Sequence, residues 1–318
     1  WPATASLEDR LRTQESIDLA EQHIATGDWS AALDELDRCA DLGRTYAHWL
    51  YRRAQVLEAL GNLEAAREAY AAARDHDGCR FRASRSMVEI VRALARDRRD
   101  SGVHLVDVEA DVAEVSRGGT PGRELFLEHV HYNLAGHRLL GRLFATAVQE
   151  QVLQQLWEPA RDLTNASLDD RLGLLPEDAV AGLTFALETV QTPPLSTGLD
   201  SVPMTVSLRS EIQQAFHTLP PERRAVFADL TLHEMQQSLA MSLVRGHLAI
   251  GQFAEARAIA AAGVRRRDWD ADAWLWEAQT LHRLQETQAA LDAGHQALRL
   301  NPDSPAAQAL VRLLTETP

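Results

Sequence analysis

This chain of 318 residues has only two cysteines, Cys39 and Cys79, and aromatic side chains make up 6% of it. Two cysteines cannot build the disulfide framework of a small secreted scaffold, and these two have no metal-ligand spacing. Each falls at an apolar or helix-end position and reads as a small buried hydrophobe. No run approaches the roughly 18 apolar residues that a membrane span needs, and no signal-peptide pattern opens the chain. Basic charge is also short: 32 Lys and Arg stand against 46 Asp and Glu, a net charge of −14. That balance argues against nucleic acid as a partner, because such binders normally present a basic face. The short basic run Arg265-Arg266-Arg267 reads as a helix C-terminus complementing its dipole. The chain opens on Trp1-Pro2 rather than Met, as expected of a processed chain or a piece of a longer one.

What the chain does have is Leu and Ala in quantity, with modest Gly and Pro, and that favours helix. It also repeats itself. Gly27-Asp28-Trp29-Ser30-Ala31-Ala32 and Gly61-Asn62-Leu63-Glu64-Ala65-Ala66 place their glycines 34 residues apart. Gly251-Gln252-Phe253-Ala254-Glu255-Ala256 restates the pattern, and 34 residues further stands Gln285, with Ala289-Ala290 after it and Leu300-Asn301-Pro302 at the close. Small residues fall where paired helices would touch: Ala20, Ala54 and Ala278 in first helices, and Ala32, Ala66, Ala256 and Ala290 in second helices. With Tyr70, Ala73, Trp274 and Pro302 at further consensus positions, the pattern resembles the tetratricopeptide repeat. Gln285, Gly263 and Gly294 depart from it. The resemblance implies antiparallel hairpins near 13–40, 47–74, 237–265 and 271–298, with 304–314 as a capping helix. Two repeats at each end fall below the usual minimum of about three, so each pair needs a cap or a docking partner.

The segment between the pairs has another character. Val103 to Val108 is the best strand candidate, preceded by a helix from Ser84 to Arg96. Gly118 to Gly122 is a loop, and helix resumes at Asn133, a good N-cap, to about Leu156. Prolines 176, 193, 194, 203, 220 and 221 break residues 160–236 into helical fragments, with a linker at 192–203 and a weak second strand at 204–208. The expected divisions are repeats over 1–80, a distinct segment over 81–150, a helical connector over 151–236 and repeats with a cap over 237–318.

Glu128-His129-Val130-His131-Tyr132-Asn133-Leu134-Ala135-Gly136-His137 concentrates three histidines and a carboxylate at a helix entry. Three readings are open. The stretch can be a polar loop whose side chains cap and solvate the helix start. His129 and His131, with His137 and Glu128, can make a metal shell, although no recognised zinc spacing results. Or His131 can serve as a general base, with Glu128 three residues back fixing its tautomer. His233-Glu234 begins like a zincin helix, but Gln237 stands where the second histidine belongs.

The run from Gly122 to His137 resembles the last block of SGNH/GDSL-type hydrolases: an acid, two residues, His, and Gly-His on the next helix. The resemblance spans about residues 75–150, and a subgroup with tetratricopeptide repeats spliced in ahead of this block is especially similar. It implies an α/β fold, ester or acyl chemistry, His131 as base and Glu128 as orienting acid, with Glu for the usual Asp and Tyr132 for the common Pro. The Gly-Asp-Ser block of that family is absent, and Ser84, Ser86 and Ser116 lack a nucleophile-elbow context. The expected fold is therefore mostly α, two repeat pairs flanking a small α/β remnant. The expected function is a fragment of a serine hydrolase acting on an ester or acyl group. The alternative is a non-catalytic scaffold whose repeats bind a protein or peptide. No cofactor or metal is called for, and the compartment is left open.

Overall fold

A computed structural model of the chain describes residues 5–158, 162–198 and 200–316. The chain divides into two compact units, Trp1–Trp157 and Glu158–Pro318. The first holds α1 (Leu7–Thr26), α2 (Trp29–Asp37), α3 (Ala40–Gly43), α4 (Ala47–Ala59), α5 (Leu63–Asp75), α6 (Arg85–Asp97), α7 (Val108–Val115) and α8 (Leu134–Ala147), which runs into a π-helical turn at Val148–Val152. The second holds α9 (Asn165–Arg171), α10 (Pro176–Gln191), α11 (Ser201–Thr218), α12 (Pro221–Ala228), α13 (Leu232–Ala249), α14 (Phe253–Arg266), α15 (Ala271–Arg283), α16 (Thr287–Leu300) and α17 (Pro305–Glu316).

The four expected hairpins are α1/α2, α4/α5, α13/α14 and α15/α16, and one backbone device makes all four turns. A residue in the left-handed region ends the first helix: Gly27 at φ 78°, Gly61 at 81°, Gly251 at 78° and Gln285 at 63°. Its N–H and the next one donate back into the last turn, at 3.0 and 2.9 Å for Gly27 and Asp28 and 3.0 and 3.0 Å for Gln285 and Glu286. This paired closure satisfies carbonyls that a helix end otherwise leaves open. Asp28 and Asn62 then cap the second helices, accepting from the N–H groups of Ala31 and Ala65 at 3.1 and 3.4 Å. The small contact residues Ala20, Ala54, Ala278, Ala32, Ala66, Ala256 and Ala290 are all buried, as close helix approach requires.

In the first unit, Ile17, Ala20, Ala32, Leu36, Trp49 and Val56 form the core of the repeat pair. The Trp49 indole donates to the Leu36 carbonyl at 3.0 Å. The loop at Gly118 closes against Leu63 of α5, an approach that a side chain at Gly118 would obstruct. α6 is attached differently. Arg85 pairs with Glu68 and Asp75, and Arg92 clamps Asp107 through two bonds of 2.7 Å. Its apolar side chains face solvent: Met87, Ile90, Val91 and Leu94 are 55–66% exposed.

In the second unit, Leu175, Val180, Leu219, Val226 and Phe227 pack with Leu239, Leu243, Val244 and Ile259 in a single core. The segment from α10 to α12 thus covers one side of the α13/α14 pair. On the other side, α17 buries Ala307 and Leu314 against α15 and α16. Arg266 forks onto Asp178 and donates to the Gly173 carbonyl at 2.9 Å, Arg265 pairs with Asp170, and Arg267 pairs with Asp270. Glu234 accepts from the Thr231 N–H at 3.0 Å and closes a capping box at the start of α13.

The expectation of an α/β remnant is corrected. Among the described residues there is no β-strand, only an isolated antiparallel bridge between Phe126 and Tyr132. Val103 to Asp107 is irregular, and Val108 opens α7 because the Asp107 carboxylate accepts from the Ala110 N–H at 3.3 Å. A buried parallel strand needs neighbouring strands, and the apolar alternation there has none to pair with. Residues 204–208, read as a weak strand, lie inside α11, where Leu208, Ile212 and Ala215 follow helical spacing into the core. Among the described residues no helix is long and apolar enough to cross a membrane.

Candidate functional site

Glu128 and His131 meet as the three-residue spacing implied. The Glu128 carboxylate bonds His131 Nδ1 and also accepts the N–H groups of Val130 and His131 at 3.1 and 3.0 Å. The carboxylate is fully covered while the His131 side chain is 52% exposed. His129 Nδ1 lies 3.6 Å from the same carboxylate. Burial works to raise the Glu128 pKa, but His129, His131 and the two backbone donors outweigh it and hold the group at about 2. The carboxylate therefore stays ionised and organises the loop around itself. Leu127 N–H donates to the His131 carbonyl at 2.8 Å, Asn133 N–H to the Leu125 carbonyl at 2.9 Å, and Phe126 stacks on Tyr132 at 4.3 Å. Asn133 caps α8 through the Gly136 N–H at 3.0 Å. Gly136 is needed because a Cβ there would strike the Leu125 carbonyl and the Tyr132 ring. The glycine of the motif's Gly-His step thus has a packing reason of its own.

The serines weighed as nucleophiles are occupied elsewhere. Ser116 donates to the Val112 carbonyl at 2.7 Å, and Ser84 caps α6 and lies 3.0 Å from Ser86. Among the described residues no group of three His, Cys, Asp or Glu could hold a metal ion.

The second candidate went unnoticed in the sequence. A groove of about 570 Å³ lies in the second unit. α13 contributes Arg245, Leu248 and Ala249, α15 contributes Trp276, Gln279, His282 and Arg283, and α17 contributes Leu313. These are the first helices of two successive hairpins and the cap that follows them. Spacings of three, four and seven put each set on one helix face, opposite the alanines that touch the second helices. The signal was available: Trp276 and Arg283 are seven residues apart on a helix whose contact face is marked by Ala278. Every ionisable group lining the groove is basic, in a chain of net charge −14. Arg245 also pairs with Glu234 in the first turn of α13. Arg283 is exposed and makes no hydrogen bond or ion pair among the described residues.

The hairpins of the two units define a helical-repeat fold. The family description that matches is the tetratricopeptide repeat, over residues 17–78 and 241–305, the two stretches that form the hairpin pairs. No curated protein matches the chain. A solved structure of an assembly chaperone of RpL4 (Acl4, residues 1–338) is 15% identical over 96% of this chain and 95% of that one, with a TM-score of 0.25. The resemblance to SGNH/GDSL-type hydrolases is corrected here. Such an enzyme builds its site on a parallel sheet, and the described residues contain no strand. Ester or acyl chemistry therefore loses its structural basis, while the repeats stand.

Proposed function

We propose that this chain is a non-catalytic scaffold that docks a segment of another protein along the groove of α13, α15 and α17. The observation that carries the reading is the groove itself. Tetratricopeptide repeats bury one helix face in the stack and leave the first helices to line a continuous open surface. Here that surface combines Trp276, partly buried against the core, with the apolar Leu248 and Leu313 and with polar groups at its edges. Large aromatic side chains set among charges are the usual anchors of protein recognition.

The test is a diverse peptide array probed with the full chain and with Trp276→Ala. Peptides captured by the parent and lost by the variant, at unchanged helical content, support the reading. Capture that ignores Trp276→Ala on every peptide overturns it. A control assay follows p-nitrophenyl ester cleavage by the chain and by His131→Ala. The scaffold reading expects no turnover that depends on His131.

A further inference from the structure

We infer that the partner segment is acidic and carries an apolar anchor, its carboxylates meeting Arg283 and Arg245 while the anchor sits against Trp276, Leu248 and Leu313. The inference rests on the groove reading above and names the chemistry of its occupant.

Charge is the first argument. The lining holds Arg245, His282 and Arg283 and no carboxylate. The rest of the chain is strongly acidic, so a cationic groove is a local reversal of the molecule's own sign. A basic segment arriving there would meet like charges in a partly desolvated site, which discriminates against it. An uncharged segment would cover Arg283, which has no hydrogen bond or ion pair among the described residues. Covering an unpaired guanidinium takes away its water and returns nothing. A carboxylate removes both penalties, and the planar guanidinium can hold it through two parallel bonds.

Shape is the second argument. A groove of about 570 Å³ is in the range that accepts a few side chains rather than a folded domain. Trp276 offers a broad apolar face fixed by its contact with the core, so little side-chain entropy is lost when something packs on it. With Leu248 from α13 and Leu313 from α17, Trp276 makes the apolar part of the groove. An acidic segment without an anchor would leave that part wet, and an anchor without acids would leave Arg283 without a counter-charge, Arg245 already having Glu234.

Three short fluorescein-labelled peptides of equal length test this against the full chain by fluorescence polarisation. One is Glu-rich with a central Leu, one replaces Glu with Lys, and one keeps Glu but replaces the Leu with Ser. The first should bind, and raised salt should weaken it as screening predicts. Arg283→Glu and Trp276→Ala should each weaken it by about tenfold or more, with Arg245→Gln as a milder charge variant. The Lys peptide should not bind, and the Ser peptide should bind weakly. Circular dichroism of each variant checks that the helices persist. Equal binding of the Lys peptide, or acidic binding that ignores Arg283→Glu, overturns the acidic partner. If the Lys peptide binds and Trp276→Ala removes it, the groove stands and only the acidic assignment falls. If Trp276→Ala affects no peptide at all, both fall.

Discussion

Gln285 is the residue at which the repeat pattern breaks in sequence and holds in shape. Its φ of 63° matches the positive φ of Gly27, Gly61 and Gly251 at the same position. A side chain in that region costs about 1–2 kcal/mol, offset in part by the smaller entropy that Gln loses relative to Gly. Gln285→Gly should therefore stabilise the second unit by up to about 1 kcal/mol, and Gly61→Ala should destabilise the first by a similar amount. Urea denaturation reads both, and an unstable Gln285→Gly variant would show that the side chain does something beyond filling the turn. Glu128 gives a second test at this scale. Its folded pKa of about 2 lies below the ordinary 4.5. A depressed carboxylate stabilises the fold above the unfolded value, and that contribution is lost as pH falls from about 4.5 towards 2. The full effect is on the order of 3 kcal/mol. The gap in melting temperature between the parent and Glu128→Gln should be open at about pH 6 and nearly closed at about pH 2. A gap that does not change with pH would mean the carboxylate's charge is irrelevant to the loop. The contact itself was legible, because three residues on a turn suffice to bring Glu128 and His131 together. Its ester chemistry was not: a local spacing says nothing about the sheet that must stand behind it.

α6 shows how far an element can be read from its pattern. Its limits and its strong amphipathicity follow from Ser84 to Arg96 in the sequence, and the helix forms over Arg85–Asp97. The pattern does not tell which face is held. Arginines fasten the polar face through Asp75, Glu68 and Asp107, and no residue of the helix is buried. Ile90→Gln and Leu94→Gln should then change stability by no more than about 0.5 kcal/mol, as surface substitutions do, while lowering the binding of an apolar dye such as ANS. A loss above about 2 kcal/mol would mean that these side chains are buried in solution. The neighbouring stretch from Val103 to Val108 failed as a strand for a related reason. Alternation of apolar residues is a necessary condition for a half-buried strand, but Asp107 is a helix cap and wins locally.

For the whole molecule, the four hairpins were legible because the period and the second-helix alanines agree at every repeat, and the turn glycine at three of the four. The cover on the α13/α14 pair was not, since Pro176, Pro194, Pro203 and Pro220 punctuate the sequence like a linker. In the structure Pro176 and Pro221 stand in the first turns of α10 and α12, where a missing N–H costs nothing. The groove escaped notice because tetratricopeptide consensus marks the faces that pack and leaves the open face free to vary. The four matched turns have a further consequence for how the chain acquires its shape. Each hairpin joins helices adjacent in the chain, so little loop entropy is spent before contacts form, and such local topologies fold fast. The Arg266–Asp178 clamp is the opposite case, a bond between residues 88 positions apart. It should form after the rate-limiting step. Stopped-flow kinetics on Arg266→Ala should show faster unfolding at nearly unchanged refolding, whereas slowed refolding would place the clamp inside the nucleus.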